Sequence, residues 1–263
     1  MQLQLLDWNI SFKCKINQII DFLKAYISEQ PNTIICLQEV LPHYYEALKD
    51  AFGEENIAYS LHHRSPGKFE GKNRALGVAT ILNKGRIVNS HLISSAIVPE
   101  RCLYTSIQLE KTPIGILNFH SLTGKSYKNA KASNFASIAT YIHENEAKID
   151  FMCFDANEPL KDYQDFDKVE FYDNGDKGKN AGLILGKDKV HDLTDALRSY
   201  YSQESIVNDN EPLIRSHKGK RFDYIFHATK WKVFKIDYLM EASLEATSDH
   251  SMVRALFEAN SIA

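Results

Sequence analysis

The amino-acid sequence predicts an α/β domain in which two sheets pack against each other and helices cover the outside. Three observations carry this expectation. The chain opens as strand, helix, strand; its middle is a succession of strands; and a second helix–strand step precedes three closing strands. No linker, internal repeat or low-complexity block divides the 263 residues, so 1–263 read as one domain.

Leu3, Leu5 and the residues up to Ile10 form the first expected strand. Ile16, Ile19, Ile20, Leu23 and Ile27 then recur at helical spacing, in a helix that stops near Pro31. Thr33 to Gln38 is a short, nearly continuous apolar run, as expected of a strand covered on both faces. After Pro42 a helix is expected from His43 to Phe52. Strands follow near Ile57–Leu61, Ala75–Leu82, Arg86–Ile93, Leu103–Leu109 and Ile114–Phe119. His62 to Asn73 is too rich in Lys, Arg, Gly and Pro for a core and reads as an exposed loop. Phe135, Ile138, Ala139 and Ile142 put a helix within Ser126–Glu146, and Ile149–Phe154 is the next buried strand. Glu158 to Asn180 has a weak, charged pattern. Asp192–Tyr201 is a short helix and Ser202–Lys220 a long polar loop, the kind of segment that often carries function. Phe222–Phe226, Trp231–Leu239 and Met252–Phe257 close the chain as strands.

Composition narrows the classes of function. Hydrophobic residues are 44% and charged residues 25% of the chain, which fits a folded globular protein rather than a disordered one. The formal net charge of -3 excludes a basic protein that coats nucleic acid passively, so any phosphate recognition is local. The apolar runs are too short to cross a bilayer, and the N-terminal residues carry no export signal. Cys14, Cys36, Cys102 and Cys153 are widely spaced, form no C-x-x-C pair and lie mostly among apolar residues. They read as buried free thiols in a cytoplasmic protein, and a monomer without a membrane anchor is the expectation.

Polar clusters stand where the predicted strands end, and loops can bring such ends together. Asn9 follows Asp7-Trp8, and Glu39 follows the buried run that ends at Gln38. Asn118-Phe119-His120 ends a middle strand, and Asp155 and Asn157 lie two apart after Phe154, so an extended chain aims both at one face. Asp223 sits in an otherwise apolar and aromatic strand, where an unpaired carboxylate is costly and a partner such as a histidine is expected. Ser248-Asp249-His250 precedes the last strand. Taken singly, each has an ordinary structural reading: a turn-forming Asn or Asp, a helix-start Glu, a hydrogen-bonding His. Together they supply carboxylates for a hard cation, imidazoles and an amide for a phosphate, and an acid to orient a histidine.

The order and spacing of Trp8-Asn9, Leu37-Gln38-Glu39, Asn118-Phe119-His120, Asp155-Ala156-Asn157, Arg221-Phe222-Asp223-Tyr224-Ile225-Phe226 and Ser248-Asp249-His250 resemble the endonuclease/exonuclease/phosphatase superfamily, the DNase-I-like hydrolases, over essentially the whole chain. The resemblance implies a four-layer α/β/β/α sandwich of two mixed β-sheets with outer helices. It also implies a divalent-metal-dependent phosphoester hydrolase. Glu39, Asn9 and Asp249 would hold the metal, magnesium with manganese as substitute. Asp155 would activate water and Asn157 would donate to a phosphate oxygen. His250, oriented by Asp223, and His120 would contact the phosphate or move a proton. Two positions depart from the usual pattern. Phe154 stands where many members have Gly, which puts the shape of the following loop in doubt, and Ser11 stands where several have Asp, which bears on metal binding.

Substrate is left to the loops. His62, His63, Arg64, Lys68, Lys72 and Arg74 in one loop, and Arg215, His217, Lys218, Lys220 and Arg221 in another, offer cations that can follow a phosphate backbone, although any one of them taken singly reads more readily as a solvated charge. A nuclease or phosphodiesterase acting on DNA or RNA is the leading expectation. A phosphatase or phosphodiesterase for inositol phosphate, phospholipid or another small phosphoester is the alternative. Retention of every central polar residue argues against an inactive binding module.

Overall fold

A computed structural model of the chain describes residues 1–30, 32–65, 75–208 and 211–260. Two six-stranded sheets are formed from strands β1 (Gln2–Asn9), β2 (Thr33–Val40), β3 (Ile57–Tyr59), β4 (Gly77–Leu82), β5 (Arg86–Leu92), β6 (Cys102–Leu109), β7 (Thr112–His120), β8 (Phe151–Asp155), β9 (Thr194–Asp195), β10 (Asp223–His227), β11 (Trp231–Leu239) and β12 (Met252–Ala259). The first sheet has the order β11-β12-β1-β2-β4-β3 and the second β5-β6-β7-β8-β10-β9. In each, one central pair is parallel, β1 with β2 and β7 with β8, and the other pairs are antiparallel. Both sheets are therefore mixed, as the resemblance implies.

Alternation along each strand decides what faces what. Leu3 and Leu5 of β1, Ile34 and Cys36 of β2, Ile114 and Ile116 of β7, Phe151 and Cys153 of β8 and Ile225 of β10 meet in one core between the sheets. The intervening residues face outward. Leu6, Trp8, Ile35 and Leu37 pack under α1 (Ile16–Glu29) and α2 (Pro42–Phe52), through Ile19, Ile20, Leu23, Tyr44, Tyr45 and Leu48. Leu117, Phe119, Met152, Phe154, Tyr224 and Phe226 pack under Phe135, Ile138 and Ile142 of a long helix (Asn129–Asn145) and Ala181, Ile184 and Leu185 of a short one (Lys179–Leu185). The four layers follow from this. Burying each Leu, Ile or Phe contributes about 1.5–3 kcal/mol against the chain entropy lost on folding.

Several local differences from the sequence expectation have physical causes. The expected strand Ile57–Leu61 stops at Tyr59, and Ser60–His63 turn into a helix whose Ser60 Oγ accepts a hydrogen bond from Val78 N at 2.9 Å. The helix expected from Ser126 divides at Lys128, whose φ of 46° leaves the helical region, into Gly124–Tyr127 and Asn129–Asn145. Lys179–Leu185 lies in a stretch whose helical character the charged flanks conceal. The other segment without a sequence expectation, Met240–Glu245, follows β11 directly. Gly115 is required inside β7 because a Cβ there would lie 1.8 Å from the carbonyl oxygen of Lys148. All four cysteines are buried free thiols. Among the described residues no helix is long and apolar enough to cross a membrane.

Candidate active site

The inward faces of β1, β2, β7, β8 and β10 are apolar for most of their length and polar at one end. Continuing the alternation that buries Leu3 and Leu5 brings Asp7 and Asn9 into the layer between the sheets. The same count brings in Gln38 after Cys36, Asn118 and His120 after Ile116, Asp155 after Cys153, and Asp223 before Ile225. Register aligns these ends. His120 pairs with Asp155 across β7–β8, and Asp155 pairs with Asp223 across β8–β10. The two sheets are then tied by side chains. Asn9 Nδ2 donates to Asp155 Oδ2 at 2.9 Å, and Gln38 Nε2 donates to Asp7 Oδ1 at 2.8 Å and to Asn118 Oδ1 at 3.0 Å. Burial, reinforced by the charges of Asp223 and Asp155, pushes the Asp7 carboxyl well above its usual range behind the site.

Strict alternation would turn Glu39 outward with Leu37. Instead its φ is 60° and the register with β4 shifts between Gln38 and Val40, a bulge that swings the carboxylate into the cavity. There Oε2 accepts from Phe12 N at 2.8 Å and Oε1 lies 3.9 Å from His120 Nε2. Asn157 also has positive φ, 49°, and its N–H donates to Asp155 Oδ1 at 2.8 Å. Its Nδ2 donates to the carbonyl of Ser121 at 3.1 Å and lies 3.4 Å from His120 Nε2. Two backbone distortions thus aim two polar side chains at one place.

His250 Nδ1 is 3.1 Å from both oxygens of Asp223, which is completely buried. Burial alone would lower the imidazole's pKa, but the Asp223 carboxylate more than offsets it, and His250 is pushed up to about 10. It is an imidazolium at neutral pH. Burial pushes the Asp155 carboxyl up to about 7; His250 lowers it and Asp223 raises it. His120 moves the other way. Burial, then the charges of Arg101 and His250, hold it well below its ordinary value, so it is neutral.

A cavity of about 520 Å³ is lined by Glu39, His120, Asp155, Asn157, Asp249 and His250, together with Ser11, Phe12, Arg101, Tyr127, His217 and Lys218 among others. The structure therefore brings together every sequence-derived site residue except two that stand just behind the wall, Asn9 and Asp223. Asn9 acts through Asp155 and through its Oδ1, which accepts from Ser11 N at 3.0 Å. Asp249 is the most open of the set, with its side chain 51% exposed and Oδ2 3.8 Å from both His217 Nδ1 and Lys218 Nζ.

The donor set fits a hard divalent cation. Carboxylates of Glu39, Asp155 and Asp249 face one cavity, none of the four cysteines lines it, and His250 Nδ1 is already committed to Asp223. Among the described residues, two groups of three acidic or imidazole side chains have donor atoms within 4.8 Å of one another, His217–Asp249–His250 and Asp155–Asp223–His250. Glu39 belongs to neither, so its carboxylate faces the cavity apart from the group that contains Asp249.

Arg101 and Lys131 escape sequence reasoning, and His217, one of the expected loop cations, makes contacts at the site that its loop position does not indicate. Arg101, buried immediately before β6, lines the cavity and contributes positive charge against His120. His217 stacks on His250 with ring centroids 4.0 Å apart, and its Nδ1–H donates to the Asp249 carbonyl at 2.9 Å. Lys131 is buried and donates at 2.7 Å both to the Asn157 carbonyl and to Glu158 Oε1, fixing the strained Asn157 backbone. The only sequence signal for Lys131 is a lysine within the apolar stripe of its helix.

The basic loops are largely spent internally. His62 meets Tyr45 and Tyr59 edge-on, His63 bonds Ser90 Oγ at 2.9 Å, and Arg64 pairs with Glu100 at 3.1 Å. Lys68, Lys72 and Arg74 lie outside the described residues. Arg221 is fully buried between Asp162 and Asp195 at 2.9 and 2.6 Å, and Lys220 donates to the Leu160 carbonyl at 3.0 Å. His217 and Lys218 alone of that loop line the cavity; Arg215 is exposed. Phe154 does not face the site at all: it stacks on Phe119 at 4.3 Å and Tyr224 at 5.4 Å, filling the layer beneath the outer helices.

No family model matches the sequence, and no curated protein matches it. Solved structures match its fold. D. rerio TDP2 complexed with single strand DNA product superposes with a TM-score of 0.63 at 16% identity, covering 98% of this chain and 99% of that one. The human Nocturnin catalytic domain with bound sulfate anion gives 0.64 at 16% identity, over 98% and 95%. An endonuclease/exonuclease/phosphatase from Bacteroides vulgatus gives 0.59 at 16% identity, over 99% and 100%. The chain has the fold of the DNase-I-like proteins from end to end.

Proposed function

We propose that the protein is a divalent-metal-dependent phosphoester hydrolase, a single-domain cytoplasmic monomer whose preferred substrate is a nucleic acid. The observation that carries the reading is the close placement, with donor atoms within 4.8 Å of one another, of a His250 imidazolium held by the Asp223 carboxylate and an Asp155 carboxyl poised near neutrality. Paired groups whose pKa values are driven apart mark the acid and base of a hydrolytic site.

In this reading a water attacks phosphorus, its proton passes to Asp155, and the bond from phosphorus to the leaving oxygen breaks. Asp155 is held for this by Asn9 Nδ2 and by the Asn157 N–H. His250 uses Nδ1 on Asp223, which leaves its Nε2–H to bind a phosphate oxygen or to protonate the leaving group. Asn157 Nδ2 and His120 contact the phosphate oxygens as charge builds on them. Glu39 and Asp249 would hold magnesium or manganese, with Asn9 supporting the site from behind the wall through Asp155 and Ser11; when bound, the ion neutralises phosphate charge and stabilises the leaving oxygen. The nucleic-acid preference is supported by the DNA product bound to the TDP2 of similar fold. Lys218 and Arg101 at the cavity add local positive charge in a chain of net charge -3.

The test is a panel of plasmid and abasic duplex DNA, RNA, a phosphotyrosyl oligonucleotide, inositol phosphates and sphingomyelin, each with magnesium and with chelator. Magnesium-dependent cleavage of a nucleic-acid substrate is expected, with Asp155→Ala and Glu39→Gln each at least ~10²-fold slower. Chelator-insensitive cleavage overturns the metal, and turnover of inositol phosphates or lipid alone overturns the substrate.

A further inference from the structure

A second cavity, about 590 Å³, adjoins the first and shares Thr123 and Asn157 with it. Its volume lies in the range of small-ligand pockets. A phosphate contacted by Asn157 would lie at the junction of the two cavities, with this space open to one of its substituents.

The lining has three chemically distinct parts. Tyr172 and Phe222 supply aromatic surface, and the Tyr172 ring is held by the ammonium groups of Lys131 and Lys220 at 5.5 and 5.4 Å. Lys125 and Lys128 are exposed cations with no carboxylate partner among the described residues. Asn129 presents an amide beside Gly175, where a Cβ would lie 2.3 Å from Asn129 Oδ1, so glycine is what leaves room for that side chain. The wall is also rigidly built. The fully buried Glu158 accepts from Tyr172 N at 3.0 Å, Asn174 Nδ2 at 2.7 Å and Lys131 Nζ at 2.7 Å.

We propose that this cavity is the subsite for a nucleoside of the substrate. The base would pack against Tyr172 and Phe222, and a second phosphate, one nucleotide from the scissile one, would sit between Lys125 and Lys128. The inference rests on the hydrolase reading above and names the group on the Asn157 side of its scissile phosphate. An acyl chain finds only two aromatic rings among lysines, asparagines and Asp173. An inositol polyphosphate finds two free cations and would leave the aromatic surface unused. A nucleotide uses all three parts, because every base has a π-face and every link a charge.

The test measures binding without turnover, in chelator, with adenosine 3′,5′-bisphosphate as probe and calorimetry as readout. Ribose 5-phosphate and inositol 1,4,5-trisphosphate are the comparison ligands. Wild type is expected to bind the bisphosphate most tightly. Lys125→Gln/Lys128→Gln and Tyr172→Leu should each weaken it by roughly tenfold. Tyr172→Leu should leave ribose 5-phosphate, which has no base, as in wild type. Lys84→Gln/Lys111→Gln removes the same charge at the other end of β7 and should bind as wild type. Equal affinity for ribose 5-phosphate and the bisphosphate, tighter binding of the inositol phosphate, or unchanged affinity in both pocket variants overturns the subsite. Failure of the hydrolase reading is separate: it would show as no metal-dependent phosphoester cleavage while bisphosphate binding remained sensitive to the pocket variants.

Discussion

Replacing Asp223 by Asn probes the pair on which the proposed chemistry depends. With a pKa of about 10, His250 is neutral in roughly one molecule in a thousand at pH 7. Asp223→Asn keeps the size and removes the charge that holds the imidazole up. Burial then acts against the charged imidazole with only Asp155 and Asp249 to offset it, and the pKa falls. At the ordinary imidazole value of 6.5, about a quarter of His250 would be protonated at pH 7, and each unit below that removes roughly another factor of ten. Turnover at pH 7 should drop ~10²-fold or more as the phosphate loses its cationic partner. The direct assay is NMR titration of the His250 imidazole with chelator present, which removes any contribution from metal. The sign also fixes stability. A pKa raised above the unfolded value contributes stability that is complete below about pH 6.5 and is lost as pH rises through about 10. Titration of wild-type His250 near 6.5, or an unchanged midpoint in Asp223→Asn, would refute the reasoning.

Two further perturbations test how the site is supported. Lys131→Met leaves Glu158 buried without its cation and frees the Asn157 carbonyl, so urea unfolding should show a loss of ~3–5 kcal/mol; a loss under 1 kcal/mol would mean that the pair does not hold this wall. His191, buried with Nε2 3.1 Å from the Ile184 carbonyl, is pulled down to about 4 by burial and by Lys189. The unfolded chain takes up this proton first as pH falls, so the stability it contributes is complete above about pH 6.5 and fades towards pH 4, by on the order of 3 kcal/mol. His191→Phe should flatten that part of the pH–stability curve, and an identical slope in both proteins would discard the assignment.

Local pattern carries a large part of this protein. Nearly continuous apolar runs containing Leu3–Leu5, Ile34–Cys36, Ile114–Ile116 and Phe151–Cys153 locate strands buried on both faces, whose side chains alternate with period two, and the spacing of Ile16 to Ile27 and Phe135 to Ile142 locates the helices over them. The same period places Asn9, His120, Asp155 and Asp223 on the inner face, because an alternating strand cannot change faces without a bulge. Residue type then supplies the chemistry, since a buried carboxylate such as Asp223 requires a partner.

Tertiary structure decided what depends on departures from period or on distance along the chain. Glu39 reaches the cavity through a bulge, and Asn157 through a left-handed backbone anchored by Lys131. Neither follows from counting residues. Arg221 and Arg64, cations equally suited on paper to a phosphate, are consumed by Asp162, Asp195 and Glu100, because ion pairing is settled by which remote segments meet. Arg101 and His217 enter the site for the same reason. The sequence by itself determined the layers, the strand faces and the reactive groups at the strand ends, all of which are short-range consequences of backbone geometry and burial. Only the folded chain decided which charges remain free at the cavity and how far neighbours move their pKa values, because electrostatic coupling acts through space and not along the chain.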